Sequence, residues 1–413
     1  MKIPVADIWP EKNTPISSEK LVQQLLLAAL AEGLPVAAWR LPNSASLQIC
    51  VSLAFDSTLK NELAIEEHEP GFVFHPFEKN EGTEAYFIKA DLFFSSEAEE
   101  LLIDENLEKN QAKKALLEKV LTNLFDYRIS DWHFNPNLPT NFPTQPEFMK
   151  LVEKGIEAIR NGEMEKVVPS RVKQVVLPPD FSLFETFLAL THKYPTAFVS
   201  LVSVPGGGTW LGASPEVLVR VDEKGVFRTV ALAGTQRLTD ETTPQTAVWR
   251  QKEIEEQAMV KRYILNCFKK IRLRDYDEIG PRTVVAGNLM HLKTDFWVCP
   301  EVAAEHPTLA TEMLMLLHPT SAVCGMPKTP AINFLRNHEG YNRQHFSGFL
   351  GPVNLASETN IFVNLRCMQL GRNHAILYAG AGVTAESDPE KEWTETELKM
   401  QTIWSVVQQN SLA

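Results

Sequence analysis

Apolar residues between positions 147 and 160 fall at Phe148, Val152, Ile156 and Ile159, the spacing of a helix with one buried face. Asn161-Gly162 supplies the stop. Downstream the period changes. KVVPSRVKQVVL (166–177) is rich in β-branched residues and predicts a strand. Residues 196–204 and 209–221 predict two more strands, joined by a hairpin at PGGG. Another strand is expected over 227–233, and a long helix over 248–272 with acidic residues near its start. Upstream, LQICVSLAF, GFVFHPF and EAYFIKADLFF read as short strands, and residues 97–125 predict a long surface helix. Strands and helices come in blocks rather than in strict βα alternation, so the expected class is α+β.

The segment NPNLPTNFPTQP (135–146) predicts irregular chain, read as a loop within one domain spanning 1–413. In that reading, 1–146 is a variable N-terminal part and 147–413 carries the motifs. The longest apolar stretch, Leu21 to Trp39, is broken by Gln23, Gln24, Glu32, Gly33 and Pro35. It predicts an amphipathic or buried helix, not a membrane span. The N-terminal MKIPVADIWPEKN has no apolar core of a signal peptide.

Composition narrows the function. Forty basic against 52 acidic residues give a net charge of −12, and no basic run offers phosphate neutralisation. Nucleic acid is therefore not an expected partner. Any bound anion needs local positive charge or a metal. The five cysteines are scattered without a CxxC pair, which fits reduced thiols in a cytoplasmic protein.

Candidate chemistry concentrates near the C-terminus. Arg366 can grip a carboxylate in bidentate fashion. Gly380 and Gly382 leave backbone N–H groups open to a small anion. Glu392 and Glu395 share a helix face, as do Glu253 and Glu256, and hard oxygens of this kind suit Mg²⁺. Taken singly, each has an ordinary reading. Lys166 is a solvated strand end, Glu216 a loop carboxylate, Glu253 and Glu256 a response to the helix dipole, and His291 and His318 satisfied core histidines.

In order, the chain carries KVVPSR, LGASPEVLVR, ALAGTQR, KEIEEQAMV, LMHL, LHPTSAVCGMPK, EGYNRQHFSGFLGPV, FVNLRC, YAGAGV and EWTETELK. Together these resemble the chorismate-utilising enzymes, over roughly the last two-thirds of the chain. That family comprises isochorismate synthases, salicylate synthases and the large chains of anthranilate and aminodeoxychorismate synthases. The resemblance implies two packed antiparallel sheets flanked by helices, chorismate as substrate and Mg²⁺ as cofactor. It implies Glu256 and Glu395 as the direct metal ligands, with Glu253 and Glu392 beside them or acting through water. It places Gly380 and Lys399 at the ring carboxylate, Arg366 at the enolpyruvyl carboxylate, Gly234 in the same pocket and His291 near the ring hydroxyl. Lys166 resembles the lysine that activates water and Glu216 the acid that protonates the departing hydroxyl. Such an acid needs burial to raise it above the ordinary carboxylate range.

Ala322 and Phe346 occupy positions that differ between branches of the family. With Lys166, they resemble the isochorismate branch, which adds water and has no amidotransferase subunit. Alternatives are a salicylate synthase, an anthranilate or aminodeoxychorismate synthase chain, and a non-catalytic chorismate-binding protein. No coiled-coil seam is visible and many members of the family are monomers, but the sequence leaves the oligomeric state open.

Overall fold

The computed structural model describes residues 1–8, 17–80, 82–98, 100–128, 131–238, 243–286 and 289–410. Part of the N-terminal stretch read above, and position 99 of the expected surface helix, lie outside these. The fold is α+β. A ten-stranded and an eight-stranded antiparallel sheet stack face to face, and a two-stranded ribbon pairs Lys166–Val167 with Gly325–Met326.

Aromatic residues fill the space between the large sheets. Phe198 stacks on Phe362 at 4.1 Å between centroids, Trp39 meets Phe72 at 5.1 Å, and Trp210 stacks on Tyr378 at 5.1 Å. Such rings combine large buried area with preferred geometry, which fixes how the sheets sit on each other. The strands Phe198–Val204 and Gly208–Ser214 are buried along their whole length, because helices cover the outer face.

Strands from the first third are part of both sheets. Val36–Arg40 pairs with Phe198–Val204, and Gly71–His75 pairs with Phe349–Val353. The helix Gln145–Arg160 ends at Asn161, with Gly162 at φ +78°, as the sequence predicts.

Four expectations are corrected. The apolar stretch from Leu21 holds the helix Ser18–Ala31 and then the strand Val36–Arg40, because Gly33 and Pro35 end the helix and the apolar run continues into a sheet centre. The 97–125 region is a strand, Glu100–Ile103, then a short 3₁₀ turn, then the helix Gln111–Thr122. Leu101 and Ile103 alternate inward there, and that period-2 burial overrides the helical spacing. The 166–177 strand breaks at Val168-Pro169. The 209–221 strand breaks at Pro215-Glu216, where the chain leaves the ten-stranded sheet for the eight-stranded one.

Four histidines are held neutral inside the fold. Burial is the main cause in each case. It lowers His75 and His291 to about 4, and His318 and His345 to about 3. In the unfolded chain a histidine takes its proton near roughly 6.5. Between that value and the folded one the unfolded state binds more protons, so stability falls as pH drops below 6.5. At pH 5 each histidine contributes about 2 kcal/mol of lost stability. Glu216, raised by burial to about 7, opposes this by about 2 kcal/mol between pH 7 and 5, because the folded state takes that proton first. The expected result is a denaturant midpoint clearly lower at pH 5 than at pH 7. An unchanged midpoint would mean that these histidines are not buried as described.

Candidate active site

The sheet-switching turn places Glu216 on the wall of a partly enclosed cleft of about 970 Å³, mouth included. Elements distant in sequence supply the other walls. Glu253 and Glu256 come from the helix Gln251–Lys270, Glu395 and Lys399 from the helix Pro389–Asn410, and Arg366 from the turn before the strand Cys367–Leu370. Gly234, His291, Ala322, Phe346 and Gly380 also line it. Lys166 lies just behind the wall, 1% exposed, with its Nζ donating to Glu256 Oε1 at 2.6 Å. Gly382 permits this contact: a Cβ there would sit 2.7 Å from Glu256 Oε1 and 3.3 Å from Lys166 Cε.

Glu216 is almost fully enclosed. Burial raises its carboxyl to about 7, against the pull of the Thr320 hydroxyl, Lys166, Lys399 and Arg366. That is the direction a general acid at neutral pH requires. Burial also raises Glu256, but Lys166, Lys252 and Lys399 together outweigh it and keep its carboxyl low. Two carboxylates across one cleft are thus separated in protonation by their partners.

Arg366 has a left-handed backbone, φ +48°, uncommon for a residue with a Cβ. Among the described residues its buried Nη1 has no hydrogen-bond partner, and burial lowers the guanidinium to about 10. A buried, unpaired guanidinium nitrogen is costly unless a ligand completes it. His291 has the same property. Its Nδ1 lies 2.8 Å from the Gly234 carbonyl oxygen, which can only accept. Burial keeps the ring neutral, its proton is on Nδ1, and among the described residues the buried Nε2 is an acceptor with no partner.

The acidic residues divide. Glu256, Glu395 and Glu253 reach the cleft; Glu392 does not line it. Glu392 is 2% exposed and paired with Lys252 Nζ at 2.7 Å. One oxygen of Glu253 accepts the Arg250 backbone N–H at 2.8 Å, so this residue also caps its helix. Glu395 pairs with Lys399 at 2.6 Å, and Lys399 donates to the Gly380 carbonyl at 2.8 Å. Among the described residues no group of three or more His, Cys, Asp or Glu is arranged as a ready metal cage. The donor set still suits Mg²⁺: these are hard carboxylate oxygens on a cleft wall, and this ion keeps several waters and needs few protein ligands.

Sequence reasoning passed over two groups that line the cleft and one that bonds to Glu216. Lys252 lines the cleft and holds Glu392, and Tyr378 stacks on Phe346 at 5.3 Å. Thr320 donates to Glu216 Oε1 at 3.2 Å. All three lie inside the motifs quoted above; their types alone carry no distinctive spacing.

The family described as chorismate binding enzyme matches residues 36–408. The isochorismate synthase EntC of Escherichia coli is 29% identical over 269 residues, covering 64% of this chain and 68% of that protein. Anthranilate synthase component 1 of Acinetobacter calcoaceticus is 27% identical over 280 residues, covering 64% of this chain and 54% of that protein. The solved structure of MenF, the menaquinone-specific isochorismate synthase of Escherichia coli, superposes with a TM-score of 0.74 at 20% identity, covering 98% of this chain and 94% of that one. Among the described residues no helix is long and apolar enough to cross a membrane. A match over nearly the whole chain, on a fold of two stacked antiparallel sheets, places this protein in the chorismate-binding enzyme family.

Proposed function

We propose that the chain is an isochorismate synthase: water adds at C2 of chorismate while the hydroxyl at C4 departs. The observation that carries this reading is Glu216, a buried carboxyl raised to about 7 on the wall of a cleft that also holds unpaired Arg366 and His291 groups. A site that only bound a dianion would have no use for an acid held ready to donate.

In this reading Arg366 grips the enolpyruvyl carboxylate, and Lys399 beside Gly380 receives the ring carboxylate. His291 Nε2 accepts a hydrogen bond from a ring hydroxyl, and Gly234 keeps the adjoining backbone close. Ala322 and Phe346 form part of the wall near the ring. Lys166, acting as the free amine rather than as the ammonium that pairs with Glu256, takes a proton from the attacking water, and Glu216 gives one to the hydroxyl leaving as water. The ring double bond shifts as the new C2–O bond forms and the C4–O bond breaks, so one water enters and one leaves. Glu256 and Glu395 would hold Mg²⁺, with Glu253 beside them, while Glu392 stays paired with Lys252 away from the cleft wall. The ion would supply fixed positive charge at the ring carboxylate.

Purified protein incubated with chorismate and Mg²⁺ tests the assignment. Isochorismate alone is the expected product. Salicylate with pyruvate would replace it by a salicylate synthase. The similarity to anthranilate synthase favours a second reading, in which ammonium yields an amino product. Chorismate binding without turnover would leave a non-catalytic binder.

Arg366→Ala is expected to lower kcat/KM by about 10- to 150-fold, the loss of a charge-assisted pair, mainly through KM. Arg366→Lys should recover only part, because an ammonium lacks the planar fork. Steady-state kinetics on both variants check this; an unchanged KM in Arg366→Ala would remove Arg366 from the substrate contact.

A further inference from the structure

We propose that Thr320 is a positioning residue for this reaction: its hydroxyl fixes which oxygen of Glu216 carries the transferable proton. The inference rests on the reading of Glu216 as the acid. Thr320 and Glu216 are both buried, 7% and 6% exposed, and come from segments 104 positions apart. The Thr320 hydroxyl donates to Glu216 Oε1 at 3.2 Å.

Both partners sit on anchored backbone. The Thr320 carbonyl accepts from the N–H groups of Val323 and Cys324, at 3.1 and 2.9 Å. The Cys324 carbonyl in turn accepts from Val168 N at 2.9 Å, and Arg343 Nη1 donates to the Val323 carbonyl at 2.7 Å. On the other side, Val363 N donates to the Glu216 carbonyl at 3.0 Å, and Ser214 Oγ donates to the Val363 carbonyl at 2.5 Å. The hydroxyl and the carboxyl therefore have little freedom to part.

A neutral carboxyl has one carbonyl-like oxygen and one O–H. An oxygen that accepts a hydrogen bond is the better carbonyl, so Thr320 assigns Oε1 to that role. The proton then rests on Oε2, which has no hydrogen-bond partner among the described residues and is free to donate. The charged groups acting on this carboxyl are Lys166, Lys399 and Arg366, all cationic, while the neighbouring Glu256 and Glu395 are paired to Lys166 and Lys399. Without Thr320 nothing among these fixes the choice of oxygen.

The test compares Thr320→Val, which keeps shape and loses the donor, with Thr320→Ser, which keeps the donor; Thr320→Ala serves if the valine variant does not fold. Glu216→Gln runs in parallel. Thr320→Val is expected to lower the low-pH plateau of kcat about tenfold, with KM within about twofold. The basic limb of its pH profile should move to higher pH, because a bond favouring the ionised form is gone. Thr320→Ser should stay within about twofold of the parent with an unmoved limb. A valine variant with parent kcat and an unmoved limb, or a serine variant equally impaired, overturns the role given to Thr320. If Glu216→Gln itself keeps full activity, the acid reading fails instead, and the two failures are told apart.

Discussion

Glu216→Gln is expected to lower kcat about 10²- to 10⁴-fold while leaving KM for chorismate within a few-fold. Glutamine keeps the shape and the acceptor for Thr320 but has no proton to give. The parent enzyme should also lose kcat as pH rises through about 7, where the carboxyl ionises. The direction follows from the role: the acid works protonated, so activity lies on the acidic side of that value. The variant should lack this limb altogether. A glutamine variant with near-parent kcat would remove the acid from the mechanism.

Lys166→Ala is the second large effect, with an expected loss in kcat of about 10²- to 10⁴-fold. Two physical consequences overlap here. The variant loses the group assigned to take the proton from water. It also leaves Glu256 without its closest cation in a buried setting, where an unpaired carboxylate is costly. Thermal melting separates them. A stability loss of about 3–5 kcal/mol with retained turnover would make Lys166 a structural partner of Glu256 only. Lost turnover in a variant that remains folded under assay conditions, with chorismate binding kept, is the expected outcome.

The sequence made the chemistry more legible than its geometry. Periodicity located the helix Gln145–Arg160 and the long helix bearing Glu253 and Glu256, because one-faced burial leaves a repeating trace. It missed the break at Pro215, since apolar alternation runs on through a chain that has changed sheets. That break is what places Glu216 on the cleft wall. Spacing showed that Glu392 and Glu395 share a turn, but not that Lys252 from another helix holds one of them away from the cleft wall while the other reaches it. Such pairings depend on long-range packing, which local pattern does not encode. Thr320 was hidden for the same reason: a threonine after a proline in a loop has many ordinary explanations until a buried carboxyl is found beside it.

Running the reaction in ¹⁸O-enriched water examines most directly whether solvent is the nucleophile. The account predicts isochorismate carrying one solvent oxygen per turnover, at the new C2 hydroxyl and nowhere else. Isochorismate formed without label would mean that the hydroxyl migrates within the substrate, and would contradict the division of labour between Lys166 and Glu216.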